Sequence, residues 1–212
     1  CRYCSSNMGN YQRINREPFA DLPEEQLGVR LYPGDLPELT MHFPNVVEQL
    51  ARELTGKPRS HEAGKTLVFS MLTDGFSPSL VKDGTSRAVL DLLLERTSFR
   101  IRVLTKNAIV GSPDWLRFFR EHRDRFVVGL SIGTLDDEWA GKIEIGTSRP
   151  TARLRALRQL QDVGVPTFGM LCPLFPDVVG DVAPEKLVTA VRPELCGHVW
   201  AEPFNDRGNW KL

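Results

Sequence analysis

The sequence predicts an α/β protein with a mostly parallel sheet and helices outside it. Between residues 66 and 201, short apolar segments alternate with amphipathic segments of helical period in at least four successive units. No hairpin signal joins two of the apolar segments, and parallel strands need such helical crossovers. With 41% hydrophobic and 25% charged residues, the 212-residue chain has the composition of a globular protein. These observations favour a single domain over residues 1–212.

Each predicted element follows from its local pattern. The strands are short apolar or alternating runs, at residues 66–70, 99–104, 126–132, 167–172 and 197–201. The helices repeat apolar residues every three or four positions, at residues 46–54, 85–97, 114–122, 151–163 and 184–191. The polar residues 5–16 and the proline-rich residues 19–44 lack such a period and predict loops. Residues 18–64 are therefore predicted to be an insertion of loop and helix.

Charge and cysteine content narrow the class of protein. Lys and Arg number 27, as do Asp and Glu, so the chain as a whole has no basic field for nucleic acid. The longest apolar runs, such as 163–172, fall short of the roughly 20 residues that a membrane span needs. Four cysteines are too few for a disulfide scaffold. We therefore expect a cytoplasmic protein without a membrane anchor.

The chain begins with the sequence Cys-Arg-Tyr-Cys, whose thiols Cys1 and Cys4 could bind a metal from one tight turn. This spacing occurs in zinc sites, in redox dithiols and in iron-sulfur sites. A zinc half-site would need Cys172, Cys196 or a histidine to complete it. The spacing alone leaves these three uses open.

Polar, glycine and proline residues follow each predicted strand directly. They occupy residues 70–75, 105–107, 131–137, 173–177 and 202–205. Because the carboxyl ends of parallel strands form the binding face of such folds, we expect these five loops to form one site.

The order of these segments resembles the radical S-adenosylmethionine (SAM) superfamily and, within it, the spore photoproduct lyase-like group of DNA repair photolyases. Cys1 to Cys4 resemble the end of the CxxxCx(aromatic)C motif, whose first cysteine would lie just upstream. The other matching segments are residues 71–78, 104–106, 129–136, 153–157 with 164–166, and 173–177.

The resemblance implies a partial (β/α)6 TIM-like barrel that holds a [4Fe-4S] cluster and SAM. The enzyme would cleave SAM reductively and abstract a hydrogen atom from its substrate. The cluster ligands implied in this chain are Cys1 and Cys4, and the residues implied to contact SAM are Tyr3 (adenine), Ser70 and Thr73 (amino group), Lys106 (carboxylate) and Ser131 (ribose). The resemblance assigns no catalytic residue here.

The substrate is less defined than the cofactors. The lyase group uses a hydrogen-donor cysteine a few tens of residues after its motif, and residues 5–65 contain none. The family implies a nucleic-acid substrate of the DNA-lesion kind, and RNA or a peptide is the alternative target. It also implies an electron donor of the flavodoxin or ferredoxin type. A zinc-stabilised α/β binding module is the non-enzymatic alternative. Arg153 either pairs with Glu144, fixing the loop before its helix, or is a solvated first-turn residue.

Overall fold

The computed structural model describes residues 10–31, 44–56, 62, 64–70, 73–175 and 184–204. Within them, five parallel strands form one sheet in the order β1-β2-β3-β4-β5. The strands are β1 Thr66–Phe69, β2 Arg100–Thr105, β3 Phe126–Ser131, β4 Thr167–Leu174 and β5 Cys196–Pro203. Each strand pairs with the next one in the chain, as in an α/β barrel. The predicted fold class is confirmed.

Among the described residues, two helices precede β1, and the others occupy the connections between the strands. They are α1 Asn10–Leu27, α2 Val46–Leu54, α3 Pro78–Lys82, α4 Thr85–Arg96, α5 Pro113–Glu121, α6 Asp137–Ile143, α7 Pro150–Asp162 and α8 Pro184–Ala190. Short 3-10 helices lie at Ala108–Gly111 and Pro193–Leu195. All five predicted helices are present. None of the helices in the described ranges has the length and apolar character required to cross a bilayer.

Helix α1 corrects the sequence-based prediction of loops. Residues 10–16 and 19–27 are helical, and the helix continues through Pro18 and Pro23. Proline disfavours helix interiors because it lacks an N–H and crowds the preceding turn. Ala20 and Leu22 are buried in this helix, so tertiary packing overrides the local propensity here. That residues 18–64 form an insertion stays a prediction.

The main core lies between the sheet and the helices. Alternate residues of each strand face it, including Ile101 and Val103 of β2 and Val128 and Leu130 of β3, all fully buried. Helix α5 and the turn before α3 contribute an aromatic group whose rings meet in edge-on or tilted contacts, namely Phe76, Trp115, Phe118 and Phe119. Because these strand residues belong to one face of the sheet, the helices cover that face, as the sequence predicts.

The opposite face of the sheet, which we call the inner face, carries a layer of stacked side chains. The guanidinium of Arg102 lies 3.9 Å from the centre of the Phe168 ring. Phe168 also stacks on His198, with 5.3 Å between ring centres. One position further along, Met170 lies opposite Trp200, whose exposed fraction is 55%. The inner face is thus filled at the level of Phe168 and open at the level of Trp200.

Gly129 makes room for this layer, and its replacement by alanine should destabilise the protein. A Cβ atom at Gly129 would lie 2.4 Å from the Phe168 ring, so the ring would have to leave its place between Arg102 and His198. We expect Gly129→Ala to lower the free energy of unfolding by about 1–3 kcal/mol, as overpacking typically does. Urea denaturation followed by circular dichroism measures this change.

Gly197→Ala is the matched control, because the nearest atom to its Cβ would be a carbonyl oxygen at 3.7 Å. We expect that variant to remain as stable as the wild type. Equal stability of the two variants would show that the Phe168 layer can move at no cost.

Candidate functional site

The carboxyl ends of the strands bring polar groups to one edge of the sheet. The register places Thr105 opposite Leu130 and Ser131 opposite Met170, so β2 and β3 end side by side and β4 extends past them to Leu174. The side chains at this edge that carry polar groups or sulfur are Ser70 after β1, Lys106 after β2, Ser131 in β3, Cys172 in β4 and Glu202 in β5.

Asp74 connects the loop after β1 to the end of β2. Its carboxylate accepts hydrogen bonds from the Thr105 hydroxyl and from the backbone N–H of Lys106, each at 2.8 Å. It also accepts the backbone N–H of Phe76 at 2.9 Å and so closes its own turn. The Asn107 amide donates to the Phe76 carbonyl at 2.6 Å. These bonds fix the backbone from which the Lys106 side chain extends.

Lys106, Glu144 and Arg153 form a buried charged cluster at the ends of β2 and β3. One oxygen of Glu144 pairs with the Lys106 ammonium, and the other pairs with the Arg153 guanidinium. The exposed fractions of the side chains are 17% for Lys106, 4% for Glu144 and 0% for Arg153. The pairing of Arg153 with Glu144, one of the two alternatives that the sequence leaves open, is confirmed. A solvated Arg153 is excluded.

Ser131 lies beside this cluster. Arg153 donates a hydrogen bond from Nη1 to the Ser131 carbonyl at 2.6 Å. The Ser131 hydroxyl donates to the carbonyl of Cys172 at 2.5 Å, which ties the end of β3 to β4. Its oxygen still has acceptor capacity, since a hydroxyl can donate once and accept twice.

Burial shifts the acid-base properties of two groups at this edge. It lowers the pKa of the Lys106 ammonium below the usual lysine range, and the Glu144 carboxylate opposes that shift. Burial also raises the pKa of the Cys172 thiol, and the Glu202 carboxylate, 3.9 Å from the sulfur, adds to the increase. The Cys172 thiol is therefore held neutral at physiological pH.

The remaining site residues predicted from the sequence are either exposed or lie outside the described residues. Ser70 ends β1 with a left-handed backbone conformation (φ 60°), and its side chain is exposed. Thr73 is also exposed. Cys1, Tyr3 and Cys4 lie outside the described residues. The structure therefore brings Lys106 and Ser131 into one hydrogen-bonded group. The roles of all seven residues stay predictions.

Comparisons with known proteins give similarities to a curated protein and to a solved structure. No protein-family model matches the chain. Among curated proteins, the uncharacterized protein ORF301 of Acidianus two-tailed virus is 30% identical over 151 residues, which cover 68% of the chain and 48% of ORF301. Among solved structures, SuiB of Streptococcus suis bound to S-adenosylmethionine matches with a TM-score of 0.42 and 10% identity, over 94% of the chain and 54% of SuiB. The chain spans about half the length of each.

The structure does not combine Cys172 and Cys196 into one metal site. Cys172 lies near the carboxyl end of β4, whereas Cys196 begins the parallel strand β5 at the opposite edge of the sheet. Within the described ranges, no group of three or more His, Cys, Asp and Glu side chains is arranged to hold a metal ion. A zinc half-site at Cys1 and Cys4 could therefore recruit at most one of these two thiols.

Sequence reasoning missed two carboxylates that organise the edge. The sequence indicates Glu144 only as a possible partner of Arg153 and does not single out Asp74, yet each binds Lys106. The signal was present for Asp74, because adjacent parallel strands end side by side and the loop after β1 must meet the end of β2. No comparable signal links Glu144 to Lys106, since a 3-10 helix, α5, β3 and α6 separate them in the chain.

Proposed function

We propose that the chain is the core of a radical SAM enzyme, which cleaves SAM reductively at a [4Fe-4S] cluster and abstracts a hydrogen atom from its substrate. The observation that supports this most is the buried cluster of Lys106, Glu144 and Arg153 beside Ser131. Lys106 and Ser131 are the residues that the family resemblance assigns to the carboxylate and the ribose of SAM. They are linked through Glu144, which pairs with both Lys106 and Arg153, and through the hydrogen bond from Arg153 to the Ser131 carbonyl.

The charges of the cluster suit a ligand that carries a carboxylate. Lys106 and Arg153 both pair with the Glu144 carboxylate. An ammonium and a carboxylate form a strong, charge-assisted hydrogen bond, so the Lys106 ammonium could also bind the carboxylate of a ligand. The Ser131 oxygen can accept a hydrogen bond from a ribose hydroxyl while it donates to Cys172. The residues present therefore fit the polar groups of SAM.

The iron-sulfur part of the proposal is supported by the sequence motif at Cys1 and Cys4. When bound, the cluster and SAM would supply the radical chemistry, and the protein would orient the reactants and exclude water. Cys1 and Cys4 would hold the cluster, with Tyr3 against the adenine. Ser70 and Thr73 at the end of β1 would contact the amino group of SAM.

For the substrate, we propose a nucleic acid of the DNA-lesion kind, with RNA or a peptide as the alternative. For the electron donor, we propose a flavodoxin or ferredoxin. Hydrogen abstraction leaves a measurable trace, because deuterium from the attacked carbon enters 5′-deoxyadenosine. Deuterated oligonucleotides and peptides, incubated with the full-length enzyme, SAM and a reductant, would identify the target class by mass spectrometry. Labelled 5′-deoxyadenosine from peptides alone would exclude the nucleic-acid assignment.

Reconstitution of the full-length protein tests the cofactor. We expect anaerobic treatment with iron and sulfide to give a brown protein with broad visible absorption. Cys1→Ser and Cys4→Ser should each lose most of this absorption, because a thiolate ligand is removed. Cys196→Ser is the control, since this cysteine lies at the far edge of the sheet and should not affect the cluster. A colourless protein that carries one tightly bound zinc ion would reject the proposal in favour of a binding module.

A further inference from the structure

The Glu144 carboxylate contacts both cations of the charged cluster. Its Oε1 pairs with Lys106 and its Oε2 pairs with Arg153, so each carboxylate oxygen has its own cationic partner. The side chain is almost fully buried, with 4% exposed. A buried carboxylate in this arrangement has little freedom, because movement toward one cation weakens the bond to the other.

The backbone around Glu144 is also fixed. Its N–H donates to the carbonyl of Ala140 at 2.7 Å and ends α6. Its carbonyl accepts from the Thr147 hydroxyl at 2.8 Å. The next loop returns to Lys106, whose carbonyl accepts the N–H of Ser148 at 3.2 Å. The carboxylate is thus attached to a segment that is itself bonded to the end of β2.

From Glu144 the contacts extend to two residues of the proposed SAM site. Lys106 is reached directly. Ser131 is reached through Arg153, which donates to the Ser131 carbonyl at 2.6 Å. Three elements that are distant in the chain, the end of β2, the end of β3 and the start of α7, therefore have their relative positions set by one carboxylate.

We propose that Glu144 is a positioning residue, which places the Lys106 ammonium directly, and the Ser131 backbone through Arg153, for binding of the carboxylate and ribose of SAM. This inference rests on the proposed function. It assigns Glu144 no contact with SAM. A purely structural ion pair would need only Arg153, whereas here the second cation is kept buried at the strand end at a desolvation cost.

The first measurement follows Lys106 and does not depend on SAM. Among the described residues, the titratable groups that face its ammonium are Glu144 at the end of α6, Arg153 in α7 and the Cys172 thiol in β4. The Glu144 carboxylate is the group that raises the Lys106 pKa most, and Glu144→Gln removes its charge. In Glu144→Gln we therefore expect the amine to react with an acylating reagent at mildly alkaline pH about tenfold faster, because a larger fraction of it is deprotonated. Peptide mass spectrometry quantifies the modification of Lys106.

The matched control is Glu138→Gln, the same chemical change in the first turn of α6. Glu138 is exposed and pairs with Lys142 at the surface, at 3.0 Å. We expect this variant to leave the reactivity of Lys106 and the affinity for SAM unchanged. An unchanged Lys106 reactivity in Glu144→Gln, with wild-type thermal stability, would overturn the proposal.

The second measurement is the affinity of the full-length, reconstituted protein for SAM by calorimetry. We expect Glu144→Gln to weaken binding about tenfold, a loss typical of a disturbed charge-assisted hydrogen bond. Tighter binding would overturn the proposal, because it would show Glu144 to be a competing counter-ion. Faster Lys106 acylation in a protein that never binds SAM would support the placement of Lys106 by Glu144 and remove SAM as the ligand.

Glu144→Asp keeps the experiment decisive if the glutamine variant does not fold. Aspartate retains the charge but withdraws the carboxylate by one methylene, so it cannot reach both cations at their present distances. Weaker SAM binding in Glu144→Asp would support positioning. Full wild-type affinity would overturn it, because charge without reach would then suffice.

Discussion

Replacing Arg153 with methionine is expected to lower the free energy of unfolding by about 3–5 kcal/mol, the usual cost of removing one partner of a buried ion pair. Arg153 is fully buried, and its guanidinium bonds Glu144 and the Ser131 carbonyl. Methionine would fill much of the space but would leave the Ser131 carbonyl without this donor. Lys106 would then be the cation left beside Glu144 in this cluster. Urea unfolding followed by circular dichroism measures the loss.

Arg155→Met is the control for this prediction, because Arg155 lies on the same helix and is exposed. Surface substitutions of this kind usually change stability by less than about 0.5 kcal/mol. A loss in Arg153→Met no larger than that of the control would mean that the buried cluster contributes nothing to folding.

Lys106→Met is expected to weaken the binding of SAM strongly and to change the free energy of unfolding only slightly. Burial already disfavours the ammonium, so its removal should leave the free energy of unfolding nearly unchanged while Glu144 stays paired with Arg153. Affinity for SAM should fall about 10- to 100-fold, since a hydrogen bond to a charged group contributes roughly 1.5–3 kcal/mol. Calorimetry on the full-length, reconstituted protein measures both the affinity and its pH dependence.

The pH dependence identifies Lys106 more specifically than the affinity does. A ligand carboxylate binds the protonated amine, and the lowered pKa means that this proton is lost at a lower pH than from an ordinary lysine. Affinity of the wild type should therefore fall as pH rises through that lowered pKa, and this fall should vanish in Lys106→Met. Lys142→Met, at an exposed surface pair, is the control and should keep the wild-type profile. Wild-type affinity in Lys106→Met would exclude this residue from the site.

The strands could be predicted from the sequence because their signals are local. Short apolar runs fix all five, and the observed bounds differ from the predicted ones by at most two residues. Helix α6 is absent from the sequence-based prediction. Its N-cap could have indicated it, because Asp136 is a typical capping residue and accepts the N–H groups of Glu138 and Trp139. Helix α1 could not be predicted, because its prolines oppose a helix locally and its burial is tertiary.

The candidate site was predictable only in part. Lys106 and Ser131 follow from strand-end position together with the family resemblance, and the structure brings them into one bonded group. The double role of Glu144 could not be read from the sequence, because it depends on how α6 and α7 place their ends over β2 and β3. Such contacts are set by packing between elements, and no local period or spacing encodes them.

The chain-order pairing of the strands has a consequence for how the protein is made. Partners such as Val128 and Thr167 are separated by one helical connection, and the other strand pairs follow the same rule. Each strand can therefore dock on a neighbour that has already left the ribosome, without waiting for distant residues. Consecutive pairing keeps the sequence separation of the contacts shorter than in a parallel sheet whose strands pair out of chain order. The protein can acquire its structure in successive steps during synthesis, with the Lys106 cluster completed once α7 has emerged.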